Sequence, residues 1–249
     1  MSDHRHLERE EERPPSVHTL LRVLVTIGIV AAVIGGLAVA SLASGSTRTA
    51  ANRVDIGDDP QLAIRSTDAD VELVEGTSTD VVIRATVKSG LIDTRYELRR
   101  RGPEIEVVGS CMNFLSPGCG VVVTVAVPAK LPVLVATDSA DVTVNGLHDR
   151  VVTIATGSGD ISGSGLRVLE FSARAQNGDI DANFAAQPFA LKARTQSGDI
   201  FARIPMGEID YAVSVESRTG DVRSGFESVP GGKGIVQVVS DSGDIQLRR

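Results

Sequence analysis

The sequence predicts an all-β protein, a β-solenoid or β-helix-like stack of rungs about 20 residues long, preceded by one N-terminal transmembrane helix. Three observations predict this fold class. A short phrase centred on aspartate recurs six times in the C-terminal half of the 249-residue chain. The segments before each copy alternate apolar and polar residues, as strands with one buried face do. Near the N-terminus, 21 consecutive residues carry no charge.

The repeated phrase is a polar residue, then Gly or Ala, then aspartate, then Ile or Val. Its aspartates are 19, 19, 20, 22 and 23 residues apart, at Asp141, Asp160, Asp179, Asp199, Asp221 and Asp244. Self-similarity at a near-constant period is typical of stacked repeats, in which each unit contacts only its neighbours.

Each copy is predicted to form a strand, a tight corner and a second strand. Val152, Ile154 and Thr156 stand eight, six and four residues before Asp160, so they share one face of an extended segment. Ile161 directly follows the aspartate. The inward positions therefore change from even to odd offsets at the aspartate, which places a bend there. Stacking would bury these residues in columns, and β-branched residues suit such a packed surface.

A seventh, degenerate copy lies upstream at Asp68-Ala69-Asp70-Val71, with Leu62, Ile64 and Ser66 at the same three offsets before Asp70. Ala replaces Gly here and at Ala140. Ala does not readily adopt positive φ. We therefore expect the corner to need a small residue more than a left-handed one, and a positive φ at either alanine would contradict this.

The aspartates of the copies have two possible roles. As structural turn residues, Asp70 and the six repeat aspartates would accept hydrogen bonds from nearby backbone N–H groups. Such charge-assisted bonds contribute about 1.5–3 kcal/mol each. Alternatively, a calcium column could form at the corners, because calcium takes six to eight oxygen ligands. Its candidate ligands are Asp141, Asp160, Asp179, Asp199, Asp221 and Asp244. The spacing differs from the nine-residue calcium-binding repeat, so the first role is preferred.

The N-terminal region predicts a membrane anchor. Residues 1–22 form a charged, disordered cytoplasmic tail, residues 23–43 are long enough to span a bilayer, and residues 44–52 are a linker. Basic residues are slightly more numerous before the span than after it, which favours an extracytoplasmic C-terminal domain. A cleavable signal peptide is the alternative, with cleavage near Ala40 or Ala43.

Residues 53–249 are predicted to form the exported β-solenoid. Residues 53–130 would be irregular first rungs, or else a separate small β domain, and residues 131–249 the regular repeats. Cys111 and Cys119 are the only cysteines, and a local disulfide is expected in an oxidising compartment. Because the final copy ends almost at the C-terminus, we expect it to be the edge rung, with Arg248 and Arg249 discouraging edge pairing.

The composition argues against several function classes. The net charge of −7 disfavours a nucleic-acid partner. Only His148 of the four histidines follows the span, and the chain has no Trp, so a catalytic triad and sugar-stacking platforms are both disfavoured. The expectation is a protein that is not an enzyme and has no cofactor. The run Arg99-Arg100-Arg101 is interpreted as a solvated strand end, or as a contact for anionic surface polymers.

The segment Val123-Thr124-Val125-Ala126-Val127-Pro128, the segment Leu134 to Val142 and the repeated Ser-Gly-Asp-Ile resemble the DUF4097 β-strand-repeat proteins, which are often described as adhesins. The resemblance covers residues 50–249 approximately. It implies a β-solenoid on the bacterial envelope and carries over no catalytic residues.

The sequence thus predicts a single-pass protein of the cell membrane with an extracytoplasmic repeat domain. Its expected role is an adhesin-like binding or structural module of the cell envelope, with an envelope protein or surface polymer as partner. Two alternatives stay open. The protein could be an envelope-stress or signalling accessory that acts through its cytoplasmic tail, or a hydrolase of envelope glycans.

Overall fold

The computed structural model describes residues 46–55, 61–90, 93–102, 104–111 and 118–249. These residues contain nineteen strands and no helix. The strands are β1 Ser46–Val54, β2 Leu62–Ser66, β3 Asp70–Glu75, β4 Val81–Ser89, β5 Arg95–Arg101, β6 Glu104–Ser110, β7 Gly120–Val127, β8 Val133–Thr137, β9 Val142–Asn145, β10 Val151–Ser158, β11 Ile161–Leu166, β12 Glu170–Asn177, β13 Ile180–Phe184, β14 Ala190–Ser197, β15 Ile200–Arg203, β16 Tyr211–Ser217, β17 Val222–Ser224, β18 Gly234–Ser242 and β19 Ile245–Arg248. The prediction of an all-β fold is confirmed for the described residues.

The strands form two sheets. Sheet A has ten strands in the order β1-β4-β7-β3-β9-β11-β13-β15-β19-β17, and sheet B has nine in the order β16-β18-β14-β12-β10-β8-β2-β6-β5. Each repeat contributes one strand to sheet B and, after the aspartate corner, one strand to sheet A. Neighbouring rungs pair in parallel and in register, as Ile161 does with Ile180 and Ile154 with Ala173. The repeats therefore form a β-solenoid built from two-strand rungs.

The core lies between the two sheets and follows the predicted columns. The Ile or Val after each aspartate is at most 1% exposed in five of the six copies. Val222, in the remaining copy, is 44% exposed. Fully burying such a side chain stabilises the fold by about 1.5–3 kcal/mol, so this column is a principal contributor to stacking.

The rungs do not stack in chain order. The last repeat, β18 and β19, lies between the rung β14/β15 and the rung β16/β17. The expectation that the C-terminal copy forms the edge is therefore wrong, because β16 and β17 occupy that position. Arg248 and Arg249 do not guard an edge strand. Their guanidinium groups lie over the rings of Phe201 and Phe226, at 5.5 and 5.1 Å from the ring centroids.

The edge rung is partly covered by the loop that follows β17. The Val229 N–H donates to the Tyr211 carbonyl at 2.9 Å, and the Val213 N–H donates to Ser228 Oγ at 2.9 Å. The ring of Tyr211 meets Phe226 edge-on at 6.1 Å. These contacts satisfy backbone groups that an edge strand would otherwise leave unpaired.

The opposite end of the stack is closed by antiparallel strands. The degenerate first rung, β2 and β3, packs directly on the first regular rung, β8 and β9. The chain between these two rungs, together with β1 before them, extends the stack outward. Strands β1, β4 and β7 belong to sheet A, and β5 and β6 belong to sheet B. Among these, β1 with β4, β4 with β7 and β5 with β6 pair antiparallel. Buried residues of this part and of the repeats belong to one core cluster.

The predicted tail, the predicted span and the first two residues of the predicted linker, residues 1–45, lie outside the described residues. The other seven linker residues, 46–52, lie in β1. Within the described ranges, none of the secondary structure is a helix suited to crossing a bilayer.

Candidate functional site

The seven predicted corner aspartates line one edge of the stack, where the chain passes from sheet B to sheet A. Each carboxylate except the last accepts a hydrogen bond from the backbone N–H of the aspartate in the next rung. The bonds join Asp70 to Asp141, Asp141 to Asp160, Asp160 to Asp179, Asp179 to Asp199, Asp199 to Asp244 and Asp244 to Asp221, at 3.2, 2.8, 2.8, 2.7, 2.7 and 2.8 Å. The ladder follows the spatial order of the rungs rather than the chain order.

This geometry holds neighbouring rungs together. Carboxylates at the strand spacing of about 4.8 Å repel one another by roughly 1 kcal/mol in water. One charge-assisted bond per rung contributes about 1.5–3 kcal/mol, so the ladder is net stabilising. Burial raises the pKa of Asp70, and the hydrogen bond from Asp141 opposes that shift. At the other end, Asp221 lies 3.4 Å from the guanidinium of Arg223.

Calcium at the six repeat aspartates stays a prediction. Across the described residues, no three His, Cys, Asp or Glu side chains converge in a way that could hold a metal ion. A thermal melt with excess calcium and with chelator tests the alternative directly.

The corner residues bear on the expectation that a small residue is needed there more than a left-handed one. Ala69 and Ala140 do not have positive φ, so the backbone at these two alanines agrees with that expectation. Four glycine corners nevertheless do, with φ between 146° and 156° at Gly159, Gly178, Gly198 and Gly243. A Cβ at any of these four would overlap the carbonyl oxygen of the corner residue in the adjacent rung. Gly is therefore required there, by conformation and by close approach.

A second ladder, of buried hydroxyl groups, runs beside the aspartates. It consists of three of the Ser and Thr residues four positions before the corner aspartates, while Ser66 and Thr137 at the same position donate to carbonyls of their own rungs. Thr195 donates to the Gly178 carbonyl at 3.0 Å, Ser240 to Gly198 at 3.1 Å and Ser217 to Gly243 at 2.8 Å. Each bond again reaches the adjacent rung, so hydroxyls and carboxylates together fix the register. The sequence signal was the polar residue in an otherwise apolar inward column.

The predicted disulfide is present. Cys111 and Cys119 are bonded, with their Cα atoms 6.1 Å apart. The bond joins the end of β6 to the start of β7, and therefore links sheet B to sheet A at the capped end. The residues between them, 112–117, lie outside the described part.

A buried arginine that sequence reasoning missed joins the capping strands to the repeats. The Arg150 side chain is fully buried, donates to Glu75 Oε2, and also donates to the carbonyls of Pro128 and His148 at 2.8 and 2.9 Å. Burial lowers the pKa of Arg150, and the charge of Glu75 opposes the shift. His148 Nδ1 lies 3.7 Å from the same Glu75 oxygen. The His148 region is thus a structural junction in this geometry.

The outer face of sheet B carries a shallow cleft of about 150 Å³. Its polar lining consists of Ser172, Arg174, Lys192, Arg194 and Gln237, and these residues are hereafter called the basic cleft. None of them was among the residues predicted from the sequence. Arg174 and Arg194 occupy the same position in consecutive copies, five residues before the aspartate, and that recurrence was the available signal.

The repeat region matches a known protein family. Residues 132–248 match the model of a family described as Toastrack DUF4097. This stretch is similar to Toastrack DUF4097 proteins. The resemblance inferred from the repeated phrase is confirmed over these residues, and the match begins just before β8. The capping strands and the degenerate first rung precede the matched residues.

Solved structures with a similar fold come from several bacteria. A candidate cell adhesion protein from Clostridium sporogenes is 10% identical, with a TM-score of 0.47, over 82% of this chain and 99% of that one. A candidate adhesin from Bacteroides fragilis is 11% identical, with a TM-score of 0.45, over 82% and 97%. A candidate lipid binding protein from Parabacteroides distasonis is 12% identical, with a TM-score of 0.35, over the same shares. Among curated proteins, none matches the chain.

Proposed function

We propose that this protein is a non-enzymatic, adhesin-like binding or structural module of the cell envelope. The observation that carries the proposal is that the repeated acidic side chains hold the scaffold together. The acidic residues singled out by the repeat are hydrogen-bonded into a ladder that holds the rungs together. The flat outer faces of the two sheets stay available along the whole stack. Stacked repeats usually present their binding surface in this way.

The proposal includes anchoring in the cell membrane through residues 23–43, with the β-solenoid on the extracytoplasmic side. The uncharged 21-residue run supports this arrangement. The disulfide between Cys111 and Cys119 suits an oxidising compartment. The first described strand begins at Ser46, directly after the predicted span, so the antiparallel cap is expected to face the membrane.

A capture experiment tests this function. Tagged full-length protein, purified in non-ionic detergent, is incubated with cell-wall fractions and with solubilised envelope proteins. We expect saturable retention of one envelope component. The matched control is the Gly178→Ala variant, in which overlap at the corner disrupts stacking. Equal retention by both proteins, or none by the wild type, would contradict a specific binding module.

The same material discriminates the alternatives. Deletion of residues 1–20 leaves capture unchanged if the outer domain binds the partner. Loss of the cellular phenotype with intact capture would instead favour signalling through the tail. Release of soluble sugars from the cell-wall fraction would support a glycan hydrolase and contradict the non-enzymatic role.

A further inference from the structure

Three cationic side chains converge on the outer face of sheet B. Arg174 on β12 and Arg194 on β14 are direct partners in the parallel register. Lys192 stands two residues before Arg194, and in register it lies between Ser172 and Gln237. Neighbouring strands are about 4.8 Å apart and same-face residues along a strand about 6.6 Å apart. The three charges therefore occupy one small patch.

The patch is not neutralised by the scaffold. Like charges directly opposite each other in a ladder are destabilising. Asp241 offers partial compensation, with its Oδ1 3.8 Å from Arg194 Nη2, and the two side chains are 53% and 35% exposed. This contact is longer than a hydrogen bond, and an exposed pair of this kind contributes little. The whole chain, with these three cations included, has a net charge of −7. Because the charges of this cluster repel one another, ligand binding explains the cluster better than a contribution to stability does.

The residues around these three charges form a cleft suited to binding an anion. The cleft has a volume of about 150 Å³ and lies between the side chains of Arg174, Lys192 and Arg194. Its floor is the sheet at Ala173 and Ala193, whose side chains point into the core. Ser172 and Gln237 add neutral hydrogen-bonding groups to the lining. Two guanidinium forks beside an ammonium group match the oxygens of a phosphate, which arginine binds in a bidentate way.

We propose that the basic cleft binds phosphate groups of an anionic, phosphate-bearing polymer. This inference rests on the proposed envelope function and names the partner chemistry. A polymer is favoured over a bilayer surface by the shape of the site, because a concave cleft on a flat sheet admits a chain but not a planar membrane. Arg174 and Arg194 lie side by side on neighbouring strands, so a chain that runs along the stack can place successive phosphates near the cations.

A binding assay with defined probes tests the proposal. Full-length protein in non-ionic detergent is titrated with long-chain polyphosphate, with inorganic phosphate, and with vesicles of phosphatidylglycerol or phosphatidylcholine. The test variant is Arg174→Gln/Lys192→Gln/Arg194→Gln. The matched control is Arg48→Gln/Arg84→Gln/Lys88→Gln, which removes the same number of exposed charges from β1 and β4 in sheet A.

We expect wild-type protein and the sheet A control to bind polyphosphate equally. The cleft variant should bind more than about tenfold more weakly, since charge-assisted hydrogen bonds are lost. Inorganic phosphate should compete, and added salt should weaken binding. The melting temperature of the cleft variant should equal or exceed that of the wild type, because repulsion is relieved.

Three outcomes would overturn the inference. Equal polyphosphate affinity of the cleft variant and the wild type would remove the cleft from the site. Equal loss in the two triple variants would show only a non-specific charge effect. A preference for phosphatidylglycerol vesicles without polyphosphate binding would assign the cations to lipid headgroups. If envelope capture is retained by the cleft variant, the proposed function stands while this inference falls.

Discussion

Replacement of Asp179 tests the aspartate ladder, because its carboxylate accepts the Asp199 N–H at 2.7 Å and stands between two other carboxylates. Asp179→Ala loses a charge-assisted bond of about 1.5–3 kcal/mol. It also relieves repulsion from two neighbours, at roughly 0.5 kcal/mol each after screening at physiological salt. The expected loss in the free energy of unfolding is therefore about 0.5–2 kcal/mol, measured by urea denaturation.

Asp179→Asn is the matched comparison, since the amide keeps an acceptor oxygen and removes the charge. A neutral hydrogen bond contributes about 1 kcal/mol, so the weaker bond and the relieved repulsion nearly cancel. We expect a change within about 0.5 kcal/mol. If the two variants were equally destabilised, or both neutral, the reasoning that the hydrogen bond outweighs repulsion would be refuted.

Three further predictions concern the corner, the junction and the edge rung. Gly178→Ala should lower the free energy of unfolding by about 2–4 kcal/mol in urea denaturation, because Gly178 has φ of 147° and no room for a Cβ. Gly146→Ala is the comparison: Gly146 also has positive φ but lies in open space, so the loss should be only about 1 kcal/mol. Arg150→Met should cost about 3 kcal/mol by the same measurement, since it removes the guanidinium partner of the Glu75 carboxylate; a neutral result would contradict the junction. Burial raises the pKa of Tyr211 from 10.0 to about 12, so as the pH rises the unfolded state loses the phenol proton first. The free energy of unfolding should therefore fall by about 1–2 kcal/mol between pH 10 and pH 12. Tyr211→Phe should reduce that fall, and the same pH profile in the variant and the wild type would contradict this prediction.

The inward columns could be predicted from the sequence because burial imposes a strict pattern on each rung. The Ile or Val after the aspartate is buried as expected in five of the six copies, and Val222 of the edge rung is the exception. The rung order could not be predicted in the same way, because every copy presents similar edges and one copy can stack on another. One signal was present: the spacings of 22 and 23 residues flank Asp221. Longer connections are what the displaced last rung requires.

The corners and the basic cleft show two other limits. Gly and Ala occupy equivalent positions in the phrase, yet Gly159 has φ of 156° whereas Ala140 does not have positive φ. The residue types alone do not reveal such differences in backbone conformation. Outward positions carry no burial constraint, so the recurrence of Arg174 and Arg194 had no structural meaning until register placed them side by side.

The central claim is that the repeated aspartates build the scaffold and that binding takes place on the outer face. Capture of envelope material by two full-length variants tests it most directly. The corner variant is Asp160→Asn/Asp179→Asn/Asp199→Asn, and the cleft variant is Arg174→Gln/Lys192→Gln/Arg194→Gln. We predict that the corner variant retains capture and that the cleft variant loses it. Loss in the corner variant at an unchanged melting temperature, with retention in the cleft variant, would contradict the account.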